Sequence, residues 1–305
     1  MFKHILVPLD GSRMAEVAIP AAIFFGEKLN AKITLVHLVE KNAPVEIHGE
    51  PHLKNVKEAE DYFIGLVEKI FPKHLEVDFH VHSTDVEDVT EGIVNHSSEF
   101  DHDLILMASH GRGKTLRLFF GSIPQKVISQ GSIPVLIIPT TEKEWYSNFS
   151  CENILLPLDG KPDHDKSLVI AEGLAKAFSA NIHLELVIPD FGSLSGQLAV
   201  TSRFLPGATS RMLEMSVQNG EDYLNSLLEN LRKKDFSVSA EINRGDPAKI
   251  IISTAKIMAI DLIILATHGK TGMKAFWNGS LTNKICSDCK FPLLLIPVKN
   301  PENSD

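Results

Sequence analysis

The sequence predicts an α/β protein made of two tandem doubly wound parallel sheets with five strands each. Three observations predict this fold: the chain repeats itself once, its apolar runs are short and uninterrupted, and stretches with helical periodicity separate those runs. A strand that is buried on both faces of a parallel sheet has such a run instead of an alternating pattern. Alternating strands and helices then favour parallel strands joined by right-handed crossovers.

The repeat is visible in two blocks. Residues 5–11 (ILVPLDG) recur as residues 154–160 (ILLPLDG), and residues 103–111 (DLILMASHG) recur as residues 261–269 (DLIILATHG). Self-similarity of this length and order is the mark of a duplicated structural unit. With 305 residues in the chain, the duplication predicts one domain over residues 1–147 and a second over residues 148–305.

The elements of the first copy follow in order. Apolar runs predict strands at residues 5–7, 33–38, 77–82, 104–108 and 135–138, of which the third alternates and suits a sheet edge. Helical periodicity predicts helices over residues 15–29, 56–70 and 89–99, and in the second copy over residues 167–178, 221–231 and 248–257. Residues 41–53 and 190–208 carry Pro, Gly and Ser, so we expect loops there, with the extra residues of the second copy in the latter.

Composition excludes several classes of protein. The formal net charge is −9 and no Lys/Arg-rich tract occurs, so no surface for nucleic-acid phosphates is expected. No apolar run is long enough for a membrane span, and the N-terminus lacks the apolar core of a signal peptide, so we expect a cytoplasmic protein without membrane contact. Three cysteines cannot form a disulfide framework.

The functional prediction comes from the ends of the first and fourth strands. In an open parallel sheet, ligands bind beyond the carboxyl ends of the strands. The first strand leads into Asp10 in one copy and Asp159 in the other, and the fourth leads into a glycine-containing segment that ends in Gly-Ser before a helix. Glycines and a helix N-terminus suit phosphate oxygens, and Ser122 and Ser280 would be the N-caps. The plain alternative is that the aspartates cap helices and the glycines turn the chain.

These motifs resemble the universal stress protein family, whose nucleotide signature is Gly, two residues, Gly, nine residues and Gly-Ser/Thr. The first copy has Ala108, Gly111, Gly121 and Ser122 at these positions, and the second has Ala266, Gly269, Gly279 and Ser280. The resemblance covers both halves nearly end to end. Both copies depart from it at the first position, where alanine replaces glycine and its methyl group can crowd the ribose or phosphates.

The resemblance implies a site for an adenine nucleotide, ATP or alternatively AMP or ADP, with Mg²⁺ bound only together with the nucleotide. The implied contacts to adenine and ribose are Pro8, Asp10, Leu38, Met107 and Ala108, and in the second copy Pro157, Asp159, Val187, Leu265 and Ala266. The implied phosphate contacts are Gly111, Gly121, Ser122 and Ile123, and in the second copy Gly269, Gly279, Ser280, Leu281 and Thr282. The copies are unequal, because Pro124 lacks the N–H donor that Thr282 keeps, which slightly favours the second copy.

The resemblance also implies a protein without dedicated catalysis, whose halves form an intramolecular pseudo-dimer through their last strands, residues 135–138 and 293–296. A further homodimer stays open. Two alternatives for the function stay open: a slow ATPase or self-phosphorylating enzyme, and a nucleotide-free interaction scaffold. A P-loop over residues 108–115 is disfavoured because the second copy breaks its pattern.

Metal and redox sites are the remaining alternatives. Cys286 and Cys289 form a C-x-x-C pair, and His80 and His82 share one strand face. No second cysteine pair and no completed ligand set accompanies them, so we expect two buried thiols and no metal centre.

Overall fold

The structure is a computed structural model that describes residues 1–41, 46–47, 50–86, 88–109, 121–140, 148–160, 165–194, 196–268 and 281–298. The chain forms two compact units. The first contains Met1–Ser150, Thr267–Lys274 and Pro292–Asp305, and the second contains Cys151–Ala266 and Ala275–Phe291. The α/β class predicted from the sequence is confirmed: the sheets are dominated by parallel strands with helices between them.

The first unit begins with a regular alternation of strands and helices. Its strands are β1 (His4–Pro8), β2 (Lys32–Glu40), the two-residue β3 (Glu46–Ile47) and β4 (Glu50–Pro51), β5 (Val77–Val86), β6 (Leu104–Ala108) and β7 (Val135–Ile138). Its helices are α1 (Arg13–Glu16), α2 (Ile19–Leu29), α3 (Val56–Ile70), α4 (Val89–Glu99) and α5 (Ser122–Gln130). In the sheet the order is β5-β2-β1-β6-β7, so successive strands are added on one side of β1 and then on the other, and the strand order reverses between β1 and β6.

Burial explains why these runs form strands. The five residues of β6 are all buried, as are the four of β7 and the central three of β1. By the usual measure of about 25 cal/mol for each Å² of apolar surface, each such side chain contributes roughly 1.5–3 kcal/mol. Helices cover the sheet through apolar side chains that include Phe25 of α2, Phe63 of α3 and Ile93 of α4, each at most 1% exposed.

The second unit repeats this order. Its strands are β8 (Asn153–Leu158), β9 (Asn181–Ile188), β10 (Val238–Arg244) and β11 (Leu262–His268), of which β11 belongs to this unit up to Ala266. Its helices are α6 (Asp165–Phe178), α7 (Gly196–Phe204), α8 (Pro206–Lys233), α9 (Pro247–Ile257) and α10 (Leu281–Asp288). The strand order β10-β9-β8-β11 matches that of the first unit.

The last strand of the chain, β12 (Leu293–Val298), belongs to the first unit. It runs antiparallel to β7, with Leu293 opposite Ile137 and Leu295 opposite Val135. Because both are apolar and buried, their pairing removes two sheet edges from water.

Two predictions about local structure are wrong. Residues 196–204 and 206–208 are helical instead of forming a loop. Pro206 occupies the first turn of α8, where its missing N–H costs nothing. The helix predicted over residues 15–29 is two helices, α1 and α2. Pro20 lies in the first turn of α2 and marks the new start.

Candidate functional site

A cleft opens in the first unit at the carboxyl ends of β1, β2 and β6, the place where the strand order reverses. It encloses about 600 Å³, including its open mouth. Its lining is mostly apolar, with a few polar side chains at one side. The lining residues are Pro8, Leu9, Asp10, Ala15, Val36, His37, Leu38, Glu40, His52, Val89, Ile93, Met107, Ala108, Ile123 and Pro124.

Asp10 is held by the turn that follows β1. Its Oδ1 accepts a hydrogen bond from the backbone N–H of Ser12 at 3.0 Å and another from the Ser12 hydroxyl at 2.7 Å. The Ser12 hydroxyl in turn accepts from the N–H of Ala15 and caps α1. The capping role that sequence analysis gave as the alternative is therefore present, although it passes through Ser12. The same contacts fix the carboxylate at the rim of the cleft.

The start of α5 lies beside the end of β6. The backbone N–H of Gly121 donates to the carbonyl oxygen of Ser109 at 2.8 Å, which places the helix next to Ala108. The prediction that Ser122 is the N-cap is wrong: Gly121 is the N-cap and Ser122 is the first helical residue. Because glycine has no side chain to accept from the first turn, no side-chain hydrogen bond caps this end. Such a helix start offers backbone N–H donors to an anion.

Two buried histidines, which the sequence does not assign to the site, line the cleft. His37 Nδ1 donates to the carbonyl oxygen of Leu9 at 2.9 Å, and His52 Nδ1 donates to that of Asp10 at 3.2 Å. Burial lowers the pKa of His37, so its ring is neutral at pH 7. His52 Nε2 lies 3.8 Å from Glu40 Oε1. These contacts join the segment after β4 to the turn after β1 and so form one side of the cleft.

The structure brings most of the first copy's predicted contacts together. Six of them line the cleft: Pro8, Asp10, Leu38, Met107, Ala108 and Ile123. Gly121 and Ser122 lie at the adjacent helix start, whereas Gly111 lies outside the described residues. Val36 shares the strand face of Leu38 at two-residue spacing, a signal that could have found it. The register of β2 shifts between Leu38 and Glu40, so the same spacing does not locate Glu40. Nothing local in the sequence indicates His52, Val89 or Ile93.

The predicted contacts of the second copy lie on matching elements. Pro157 and Val187 are in the neighbouring parallel strands β8 and β9, with Asp159 directly after β8. Leu265 and Ala266 lie in β11, which pairs with β8. Leu281 and Thr282 begin α10. Gly269, Gly279 and Ser280 lie outside the described residues.

The cysteines are buried thiols. Cys286 and Cys289 are 7% and 9% exposed, and neither forms a disulfide. Burial raises the pKa of Cys286 and raises that of Cys289 to about 11, which disfavours the reactive thiolate. Within the described ranges, no three His, Cys, Asp or Glu side chains are arranged to hold a metal ion. None of the helices that the structure describes is long and apolar enough to cross a membrane.

Comparison with known proteins agrees with this architecture. The model of the universal stress protein family matches residues 1–139 and again residues 151–297. A universal stress protein E homolog from Haemophilus influenzae is 22% identical over all of this chain and 99% of its own length. A universal stress protein from Mycolicibacterium smegmatis is 21% identical, with 96% of each chain covered.

A solved universal stress protein from Archaeoglobus fulgidus has the same fold, with a TM-score of 0.63 at 16% identity over 97% of this chain and 96% of its own. Two α/β units whose strands follow the same order, each matched by the family model, define a tandem protein of this class. The chain belongs to the universal stress protein family, and both of its halves match the family model.

Proposed function

We propose that the chain binds an adenine nucleotide in the first-half cleft and acts in a stress response or in signalling without dedicated catalysis. One observation carries the proposal: six residues that the family resemblance implies as nucleotide contacts line a single cleft at the reversal point of the sheet. Apolar walls suit a base, Asp10 at the rim suits ribose hydroxyls, and the uncapped start of α5 suits phosphates.

The alanine at the first signature position is compatible with this proposal. Ala108 is 8% exposed and forms part of the cleft wall, with the cleft still open beside it. Its methyl group therefore narrows the site without filling it. ATP, or AMP or ADP, is the proposed ligand, and Mg²⁺ accompanies it only through the phosphates.

A second proposal concerns assembly. The antiparallel pairing of β12 with β7 supports an intramolecular pseudo-dimer of the two sequence repeats. Sedimentation equilibrium distinguishes this arrangement from a further homodimer, since it measures whether the mass is 33.7 kDa or twice that value.

The ligand is tested by denaturing the purified protein and separating the released small molecules by anion-exchange chromatography. Released ATP supports the binding proposal, and added ATP with Mg²⁺ should raise the melting temperature. Released ADP together with phosphate release from added ATP would instead indicate the slow ATPase. No released nucleotide and no thermal shift would overturn the proposal and leave the interaction scaffold.

A further inference from the structure

Five histidines of the first unit converge on one side of its sheet, away from the cleft. They come from β1, β5, α4 and the segment before β6: His4, His80, His82, His96 and His102. The ring centroids of His4 and His102 are 3.8 Å apart, and those of His96 and His102 are 5.3 Å apart. Phe100 covers the group, with its centroid 4.5 Å from that of His96. We call these five residues the histidine cluster.

His96 lies at the centre of a chain of imidazole contacts. Its Nδ1 is 2.7 Å from His82 Nε2, and its Nε2 is 3.3 Å from His80 Nδ1. Each contact holds one proton, shared as N–H···N, when the rings are neutral. One additional proton can be placed on His96, which would then donate at both ends. A second would set two N–H groups against each other, so this geometry accommodates at most one additional proton.

His102 opposes protonation for a different reason. It is 3% exposed, and neither ring nitrogen has a hydrogen-bond partner among the described residues. A buried imidazolium there would have at most the backbone carbonyl of His96 as an acceptor, so at least one N–H group would stay unsatisfied, which is costly in a medium of low polarity.

The charged groups around the cluster give it little compensation. Lys32 faces His4 and His102. Its Nζ forms ion pairs with Glu76 Oε1 and Asp78 Oδ2, each at 3.5 Å. The carboxylate of Asp103 accepts hydrogen bonds from the backbone N–H groups of Lys3 and His4. Glu99 faces His82. Among the hydrogen bonds and ion pairs of the described residues, none joins a carboxylate to the ring of His96 or His102.

Burial accordingly lowers the pKa of His96 to about 3 and that of His102 to about 4, and it also lowers the pKa of His4 and His82. In an open state, in which water reaches the rings, these histidines bind protons with the ordinary pKa near 6.5. In the closed state, which is the packed cluster described here, they bind protons only at lower pH. Between these values the open state holds more protons, so acid favours opening and neutral pH favours the closed cluster. At pH 5 His96 and His102 each multiply the opening equilibrium by about thirtyfold.

Helix α4 connects the cluster to the cleft. It carries His96 on one turn, while Val89 and Ile93 on preceding turns line the cleft. Its N-cap residue Asp88 lies 3.0 Å from Lys126 Nζ of α5, the helix that supplies Ile123 and Pro124 to the same cleft. A displacement of α4 therefore changes the cleft wall directly.

We propose that the histidine cluster makes the first-half cleft sensitive to acid: protonation releases α4 from the sheet and weakens nucleotide binding. The regulatory part rests on the function proposed above. The release of α4 does not, because it follows from the cluster alone.

Hydrogen exchange tests the release of α4. Between pH 7.5 and pH 5, after correction for intrinsic rates, amides of α4 should lose protection by at least about thirtyfold, while those of α9 in the second unit should not.

His102→Phe removes a titrating ring that makes no hydrogen bond to the described residues, so it should reduce this loss. His82→Gln is a second variant in case the first fails to fold. The matched control is His74→Gln, because His74 is exposed and pairs only with Glu27 among the described residues. Equal loss of protection in α4 and α9, or no effect of either cluster variant, would overturn the proposal.

Titration with ATP and Mg²⁺ tests the regulation. Wild type should lose affinity more steeply than His102→Phe between pH 7.5 and pH 5.5, and protonation of ATP itself cancels in this comparison. Identical pH profiles, together with an acid-labile α4, would overturn the regulation and leave nucleotide binding intact. Absence of ATP binding at pH 7.5 would overturn both the proposed function and its regulation, whatever hydrogen exchange shows for α4.

Discussion

The Cγ atom of Leu53 lies 2.8 Å from the position that a Cβ atom on Gly11 would occupy. Gly11 follows Asp10 in the turn after β1, and Leu53 follows His52 in the segment that forms one side of the cleft. Gly11 has φ of +88°, a conformation that side chains with a Cβ rarely adopt. Close approach and backbone conformation both require glycine here, and together they fix the rim of the candidate site.

This contact predicts unequal effects at the two repeats. Gly11→Ala should lower the free energy of unfolding by roughly 2–4 kcal/mol, the sum of left-handed strain and overpacking. Gly160→Ala is the matched control, because Gly160 has φ of +75° but nothing among the described residues within 4 Å of an added Cβ. It should cost only about 1–2 kcal/mol of strain. Urea denaturation measures both, and equal losses would show that Leu53 does not constrain the turn.

A second pair of glycines separates helix propensity from packing. In α8, a Cβ on Gly220 would lie 2.5 Å from Leu186 Cδ2, so Gly220→Ala should destabilise the second unit by about 1–3 kcal/mol despite its better helix propensity. In α3, exposed Gly65 has no described atom within 4 Å of that position. Gly65→Ala should therefore stabilise by about 0.5–1 kcal/mol. Thermal melts would contradict this account if both substitutions shifted the melting temperature in the same direction.

Much of the fold and of the candidate site could be predicted from the sequence, because strands of a parallel sheet are encoded locally. The runs around Pro8, Leu38 and Ala108 each predict a strand, and the sheet order then brings their ends together. His52 and Ile93 reach the cleft through tertiary packing, which leaves no periodic signal. Helix α7 is not predicted for a different reason: its Gly- and Ser-bearing sequence is typical of a loop. Pro206 also suggests a break, but it begins α8 instead of ending a helix.

Glu185 in β9 predicts a pH dependence of stability in the second unit. It is 0% exposed, and its Oε1 accepts from Thr254 at 2.6 Å and from Asn243 at 3.1 Å. Burial raises the pKa of this carboxyl above 4.5. The folded state then keeps a proton that the unfolded state releases, so the free energy of unfolding falls as pH rises through that window.

Glu185→Gln should remove this slope, so that the variant is more stable than wild type at pH 7 and no more stable at pH 4. Denaturation curves at the two pH values measure the difference. Glu221→Gln, at an exposed position of α8, serves as control and should match wild type at both. A Glu185→Gln variant that is less stable at pH 7 than at pH 4, relative to wild type, would contradict the assignment.

The thiols should be inert in the folded protein. Cys151, Cys286 and Cys289 are free and buried, and burial raises the pKa of each. Ellman's reagent at pH 8 should therefore label none of them within minutes, and all three after denaturation. Rapid labelling of Cys286 and Cys289 in the native protein would favour the redox interpretation of the C-x-x-C pair.

The central claim is that the first-half cleft binds an adenine nucleotide. Isothermal titration calorimetry with ATP and Mg²⁺ tests it on wild type, on Ala108→Leu, which fills the cleft, and on Ala108→Gly, which restores the family signature. We expect Ala108→Leu to weaken the first-half site at least about tenfold, a loss of roughly 1.4 kcal/mol, and Ala108→Gly to bind as tightly as wild type or more tightly. Unchanged affinity and stoichiometry in a folded Ala108→Leu variant would contradict the claim.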